Sequence, residues 1–249
     1  MTTYRAPLRD MQFVLRDLLN IEKHYQSLPA CEEVNKDLID AVLGEASKFS
    51  EEIVAPLNAV GDQEGCRMLD NGEVKTPTGF REAYEQYVEA GWPSLDQPAR
   101  YGGQDLPMSL GTPIREMNGT ANWSWAMYPG LSHGAMETIE KHGSEEQKAM
   151  FMEPLVSGRW TGTMCLTEAH SGTDLGLLKT KAEQTADGTY RITGSKIFIS
   201  SGDHDLAENI VHIVLARLPD APAGTKGISL FIVPKFLPNG DGTIGERNA

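Results

Sequence analysis

Residues 160–193 read WTGTMCLTEAHSGTDLGLLKTKAEQTADGTYRIT, a series of short runs rich in β-branched residues that are separated by turn formers. Asp187-Gly188 stands between two of these runs and is a strong hairpin signal. Similar runs follow as SKIFIS (195–200), IVHIVLAR (210–217) and GISLFIVP (227–234). Several short strands with no long helix between them predict a mainly antiparallel β-barrel or sandwich.

The sequence before residue 160 has helical spacing instead. Apolar residues recur every three or four positions after Asn35 or Asp37, either of which can cap a helix that Pro56 ends. Three further helices are predicted: one from Thr76-Pro77 to Gly91, one over Ala135 to His142, and one that Ser144 and Gln147 open with a capping box.

These patterns give an α+β chain with three segments. Residues 1–34 read as an N-terminal helical extension with one helix near Leu8 to Glu22. Residues 35–159 form an α-helical N-terminal domain, and residues 160–249 form the β-domain. The last residues, PKFLPNGDGTIGERNA, are polar and glycine-rich just after a strand pattern, so we expect the β-domain to be incomplete at its C-terminal end.

Composition excludes several classes of function. The 249 residues carry 22 Lys and Arg against 35 Asp and Glu, a net charge of −13, which argues against nucleic-acid binding and against an anionic membrane surface. The three cysteines are widely spaced and no long apolar run occurs, so a reducing cytoplasm fits best. Asp203-His204-Asp205 is not expected to bind a metal, because consecutive residues point in different directions.

Two runs could carry chemistry. The first is Met164-Cys-Leu-Thr-Glu-Ala-His-Ser-Gly-Thr-Asp174, a strand leading into a loop whose hydroxyls and backbone amides suit an anionic or heteroaromatic ligand. The second is Lys196-Ile-Phe-Ile-Ser-Ser-Gly202, which reads as a strand ending in an aromatic residue and two hydroxyls. Each run alone is also compatible with an ordinary strand and turn.

Together and in this order, the two runs resemble the LTEPGAGSD and KxWITN motifs of the acyl-CoA dehydrogenase family. Tyr101-Gly-Gly-Gln104 and His142-Gly-Ser-Glu-Glu-Gln-Lys148 are similar to signatures of that family's helical domain, and the resemblance covers roughly residues 40 to 249. The opening YRAPLRDMQFVL (4–15) is similar to the larger subfamily that includes 3-methylmercaptopropionyl-CoA dehydrogenase.

The resemblance implies an FAD site. Met164, Leu166 and Thr167 match strand positions that hold the flavin ring, and the Thr167 hydroxyl would hydrogen-bond it. Phe198 matches a position that Trp often occupies, and Ser200 stands where Thr is usual.

Thr173 takes the place of the family's usual Ser and would bind FAD or the phosphate arm of the CoA substrate. Ala169 and His170 replace the family's Pro-Gly, so the backbone of this loop is expected to differ from the family's in detail.

The implied reaction is α,β-dehydrogenation of an acyl-CoA thioester, with proton abstraction at Cα and hydride transfer from Cβ to the flavin. The family's base is a glutamate of a C-terminal helical bundle. We therefore expect no catalytic residue in this chain, a base beyond Ala249, and a fragment that binds FAD poorly and does not turn over acyl-CoA. An electron-transfer flavoprotein as electron acceptor and a homo-oligomer at full length are further implications.

Two alternatives stay open. An acyl-CoA oxidase or a nitroalkane-oxidase-like flavoenzyme would share the scaffold, and production of hydrogen peroxide would separate them from a dehydrogenase. A non-catalytic binding module is a different class, since fold alone does not establish function. Such a module would fold without flavin and bind a protein partner.

Overall fold

A computed structural model describes residues 3–240 and 242–248 and confirms the α+β order, with helices first and strands after them. The chain forms two compact units. One comprises Met1–Gly130, Val156–Arg159 and His204–Leu206. The other comprises Leu131–Leu155, Trp160–Asp203 and Ala207–Ala249.

The first unit is helical. Its helices are α1 (Leu8–Phe13), α2 (Ile21–Gln26), α3 (Lys36–Lys48), α4 (Leu57–Glu64), α5 (Phe80–Glu89) and α6 (Met108–Ala121), with a small antiparallel pair β1 (Arg67–Met68) and β2 (Val74–Lys75). The Asn35 side chain accepts a hydrogen bond of 3.0 Å from the Leu38 amide, as its capping role predicts. The helix expected near residues 8–22 is instead two short helices around a π-helical turn, because Asn20 adopts a left-handed backbone with φ 49°.

Two further helices follow, the first of which is the longest helix among the described residues. Helix α7 spans Trp123–His142, twelve residues longer at its start than the predicted segment, and α8 spans Glu145–Val156. The predicted capping box of α8 is confirmed. The Ser144 amide donates to Gln147 Oε1 at 2.8 Å, and the Gln147 amide donates to Ser144 Oγ at 3.3 Å.

The strands of the second unit form a mixed sheet and two hairpins. They are β3 (Trp160–Cys165), β4 (Lys181–Gln184), β5 (Tyr190–Thr193), β6 (Asn209–Ala216), β7 (Ser229–Pro234), β8 (Phe236–Pro238) and β9 (Ile244–Arg247). Strand β6 is central, parallel to β3 and antiparallel to β7. Strands β4 and β5 form the hairpin predicted at Asp187-Gly188, where Gly188 has φ 86°. The sheet is therefore partly parallel.

A helix covers one face of β3. The Gly162 amide donates to Ser132 Oγ at 3.0 Å, and a Cβ at position 162 would lie 2.4 Å from the Cβ of Ala135. Any side chain at this position would push the second half of α7 off the strand, so glycine is required by the close approach.

The strand expected over residues 195–200 is not formed. Phe198 and Ser201 both have φ 55°, which interrupts an extended backbone. The segment instead runs antiparallel along the outer edge of β3. The Ile197 amide donates to the Thr167 carbonyl at 2.9 Å, and Thr163 Oγ1 donates to the Ser200 carbonyl at 2.6 Å.

Over residues 3–240 and 242–248, none of the helices combines the length and the apolar character that crossing a bilayer demands.

Candidate functional site

The two motif runs lie side by side in the second unit. Besides the contacts of Ile197 and Ser200, Lys196 Nζ donates to the Leu166 carbonyl and to Glu168 Oε1, both at 3.0 Å. Three residues of the second run, Lys196, Ile197 and Ser200, are therefore tied to β3 and the residues just after it. We call residues 163–168 and 196–201 together the paired segments.

Glu168 is the centre of this arrangement. It is 5% exposed, and it accepts hydrogen bonds from the Lys179 amide (2.7 Å), the Thr180 amide (2.9 Å) and Thr180 Oγ1 (2.6 Å) as well as from Lys196. Burial raises the pKa of this carboxyl, but these hydrogen bonds outweigh burial and hold the pKa at about 2. Glu168 is thus an ionised, fully bonded anchor and is unsuited to accept a proton from a substrate.

The loop that follows is folded on itself. Glu168 and Ser171 exchange backbone hydrogen bonds of 2.8 and 3.0 Å, and Ser171 Oγ donates to the Asp174 carbonyl at 2.8 Å. His170 Nε2 lies 3.1 Å from the Leu177 carbonyl, so the Ala169-His170 departure from the family motif adds a contact inside the loop. Thr173 is exposed in this loop, and its carbonyl accepts from the Leu175 amide rather than from either paired segment.

The paired segments carry uncovered apolar side chains. Phe198 is 87% exposed and Met164 is 39% exposed, whereas Leu166 and Thr167 are half-buried. A phenylalanine with a left-handed backbone costs on the order of 1–2 kcal/mol relative to an ordinary conformation. Strain and exposure together mark Phe198 as a side chain that the fold of this unit does not itself require.

Several hydroxyls of the paired segments and of the loop after β3 have no hydrogen-bond partner in the described part of the chain. The hydroxyls of Thr167, Thr173 and Ser200 make no hydrogen bond with residues 3–240 or 242–248, and Ser201 Oγ is buried without a partner there. An unsatisfied buried hydroxyl costs about 1–3 kcal/mol. An ordered ligand or water at this position would remove that cost.

A cysteine of the paired segments and a histidine of β6 lie close together but do not form a reactive couple. Cys165 Sγ is 3.8 Å from His212 Nδ1. Burial raises the pKa of the Cys165 thiol to about 11 and lowers the pKa of His212 to about 4, so both are neutral near pH 7. Residues 3–240 and 242–248 contain no group of three or more His, Cys, Asp or Glu side chains that could hold a metal ion.

The sequence analysis assigned no role to Lys196, Ser201 or Thr163. Lys196 and Ser201 stand inside the quoted KIFISS run, so an ionisable residue and a second hydroxyl were visible there. The sequence does not reveal that Lys196 pairs with Glu168, because the two residues are 28 positions apart.

Two family profiles match this chain. The profile of the acyl-CoA dehydrogenase N-terminal domain matches residues 39–159, and that of the acyl-CoA dehydrogenase middle domain matches residues 163–246.

Individual proteins agree with the profiles. The 3-methylmercaptopropionyl-CoA dehydrogenase of Ruegeria pomeroyi is 45% identical over 246 residues, which are 99% of this chain and 42% of that protein. Butyryl-CoA dehydrogenase from Megasphaera elsdenii superposes with a TM-score of 0.65 and 28% identity, over 80% of this chain and 48% of that one. An acyl-CoA dehydrogenase complexed with FAD from Bacillus anthracis gives a TM-score of 0.63 and 26% identity, over 82% of this chain and 31% of that one. The chain spans less than half the length of each of these proteins.

Proposed function

We propose, on the premise that the chain belongs to the acyl-CoA dehydrogenase family through its N-terminal and middle domains, that it serves FAD-dependent α,β-dehydrogenation of an acyl-CoA thioester. The observation that carries this proposal is the pairing of residues 163–168 with residues 196–201. In these segments the Phe198 ring is exposed to solvent, and the Ser201 hydroxyl is buried without a hydrogen-bond partner among the described residues.

The residues present fit a flavin. A flat heteroaromatic ring needs apolar contacts on its faces and hydrogen-bond donors at its edge. Met164, Leu166 and Phe198 would supply the apolar contacts, and the free hydroxyls of Thr167 and Ser200 would supply the donors. The Ser201 hydroxyl, which the sequence analysis did not include, is a further candidate donor.

FAD supplies the two-electron acceptor of the reaction when it is bound. The part of this chain is to bind and orient that group. A hydrogen bond from the Thr167 hydroxyl would favour negative charge on the ring, and the exposed Phe198 side chain would exclude water beside it.

Glu168 is not proposed as the catalytic base. Glu168 is the acidic side chain of the paired segments, and its pKa near 2 together with its four hydrogen bonds makes it unsuited to take a proton from Cα. The glutamate expected beyond Ala249 lies outside the described residues and stays a prediction.

The substrate, partners and context are proposed on the family resemblance. Thr173, exposed in the loop after β3, is the proposed contact to FAD or to the phosphate arm of an acyl-CoA. An electron-transfer flavoprotein as acceptor and a homo-oligomer are proposed on the same basis. A cytoplasmic location is proposed from the cysteine usage, and the division into residues 1–34, 35–159 and 160–249 from the helix and strand patterns.

The test is a titration of the purified 249-residue chain with FAD, followed by flavin fluorescence. We expect weak but saturable binding, and we expect F198A to weaken it about tenfold further, since stacked aromatic contacts are worth about 1 kcal/mol or more. Leu230→Ala is the matched control, because Leu230 is also an exposed apolar residue of this unit, at 48%, but lies on β7. No saturable binding, or an equal loss in L230A, would contradict the proposal.

Turnover is measured separately. A dye-linked assay with an acyl-CoA thioester is expected to give no activity for this chain alone, because Glu168, the acidic residue of the paired segments, is unsuited to take the Cα proton. Robust turnover would contradict that expectation. Substrate-dependent hydrogen peroxide without a dye would favour the oxidase alternative.

A further inference from the structure

Three separate stretches of the second unit meet at the Glu168–Lys196 pair. Glu168 lies just after β3. Its carboxylate accepts hydrogen bonds from the Lys179 and Thr180 amides, which lie just before β4, and from the Lys196 ammonium. Lys196 adds a bond to the Leu166 carbonyl. The side chains of Glu168 and Lys196 are only 4% and 11% exposed, so solvent screens the pair weakly.

Few other contacts attach the 196–201 segment to β3. The Ile197 amide bonds the Thr167 carbonyl, and Thr163 Oγ1 bonds the Ser200 carbonyl. Between these two contacts lies Phe198, whose left-handed backbone and exposed ring give no packing that would hold it. The placement of residues 198–200 therefore depends on what anchors residue 196.

A buried ion pair is in general a poor source of stability, because desolvation offsets the attraction between the charges. An apolar pair of the same volume would serve packing as well. The charged pair adds geometric specificity. The Lys196 ammonium has two fixed acceptors and the Glu168 carboxylate has four donors, and all of these hydrogen bonds can form in one arrangement only.

We propose that Glu168 and Lys196 are positioning residues that hold the 196–201 segment against the end of β3 and so set the affinity of this site for FAD. The inference rests on the proposed function for the identity of the ligand. It does not rest on that function for the mechanical role of the pair, which can be measured in the free protein.

The main variant is K196M, which keeps the length and the apolar stem of the side chain and removes its donors. K196R restores a cation with several donors and serves as the conservative rescue. K235M is the matched control, because Lys235 is 13% exposed and also pairs with a carboxylate, Asp203, at 2.5 Å, but contacts neither Leu166 nor Glu168.

Two readouts are taken on each variant. The first is amide hydrogen exchange at Ile197 in the absence of FAD, which reports the hydrogen bond to Thr167 directly. The second is the dissociation constant for FAD from fluorescence titration. We expect K196M to raise exchange at Ile197 and to weaken FAD binding by about tenfold each, the lower end of what outer-sphere support usually contributes. K196R should return both toward the wild-type values, and K235M should change each by less than about twofold.

A milder change covers the case in which K196M does not fold. Thr180→Val removes one donor to Glu168, the 2.6 Å bond from Thr180 Oγ1, while it keeps the shape of the side chain. Its effect on both readouts should have the same direction as that of K196M and be about threefold.

The outcomes separate the two proposals. If K196M and T180V leave Ile197 exchange and FAD affinity no more changed than K235M does, the pair has no positioning role and the inference is overturned. If the wild-type chain binds no FAD, the proposed function fails, and the exchange result alone then decides whether the pair holds the segment.

Discussion

Trp125 and Phe198 are both large aromatic residues, and the structure treats them in opposite ways. Trp125 is fully buried in the first unit, donates its indole N–H to the Phe80 carbonyl at 3.2 Å, and has ring centroids 5.8 and 5.6 Å from those of Phe49 and Tyr87. Phe198 in the second unit is 87% exposed on a left-handed backbone. The first ring stabilises the fold, whereas the second is held at a cost that a ligand would offset.

Buried hydroxyls show the same contrast. Ser50 Oγ in the first unit donates to Asn118 Oδ1 at 2.7 Å, and Tyr84 donates to the Gly158 carbonyl at 3.0 Å. Ser201 Oγ is buried without a partner in the described part of the chain. These two hydroxyls of the first unit are thus satisfied within the chain, whereas that of Ser201 is not, and an unsatisfied hydroxyl beside an exposed ring is a pattern expected where an external group binds.

The strongest test of this contrast is to truncate the buried ring. Trp125→Ala should lower the free energy of unfolding of the helical unit by about 3–5 kcal/mol, because it removes a fully buried aromatic side chain and leaves a cavity. Urea unfolding followed by far-ultraviolet circular dichroism measures this. L230A, at an exposed position, should change it by less than about 0.5 kcal/mol. Equal losses in both variants would remove the distinction.

The contribution of Glu168 to the free energy of unfolding should depend on pH in the acid range. The pKa of Glu168 is about 2 in the folded chain against an ordinary 4.5, so its stabilisation is fully present above about pH 4.5 and is lost as the pH falls toward 2. The difference corresponds to about 3 kcal/mol at neutral pH.

Urea unfolding of wild type and E168Q over this pH range isolates the contribution from that of other carboxylates. E168Q should be less stable at neutral pH, and its stability should fall less steeply with acid. Parallel curves for the two proteins would show that Glu168 is not the anchor.

A smaller effect of opposite sign is expected at the exposed ring. Phe198→Gly should raise stability by about 0.5–1 kcal/mol, because glycine accepts a φ of 55° without strain. FAD affinity should fall at the same time. Thermal unfolding without ligand, with F198A as the variant that keeps the strain, checks the first effect. A destabilised F198G would mean that the ring supports the fold after all.

The last contrast concerns the hydroxyls. Ser201→Ala should raise the stability of the free chain by about 1 kcal/mol, because it removes a buried hydroxyl that has no partner among the described residues. Ser50→Ala should cost about 1–3 kcal/mol, because Asn118 then loses its hydrogen bond. Chemical denaturation of the two variants side by side decides whether the hydroxyls differ as the structure indicates.

Features governed by neighbouring residues were predictable from sequence. The Asn35 cap, the Ser144–Gln147 box and the Asp187-Gly188 hairpin follow local rules, and all three are confirmed. The strand expected over 195–200 was wrong because alternation of apolar residues does not reveal the left-handed backbone at Phe198 and Ser201.

Features that depend on distant residues were not predictable. The parallel pairing of β3 with β6 joins residues 49 positions apart, as in Trp160 with Asn209. The two motif runs were expected to meet because they resemble a family, not because their letters require it. The Lys196–Glu168 pair that joins them was missed, since either residue alone reads as an ordinary surface charge.

The course of the 196–201 segment also protects the sheet from other molecules. Strand β3 is an outer strand, and the segment runs beside it with one backbone hydrogen bond, from Ile197 to Thr167. Unpaired strand edges are templates for intermolecular strand pairing. If the 196–201 segment detaches, the outer edge of β3 becomes available for such pairing. If Lys196 orients the segment as proposed, we expect K196M also to increase intermolecular association of the chain.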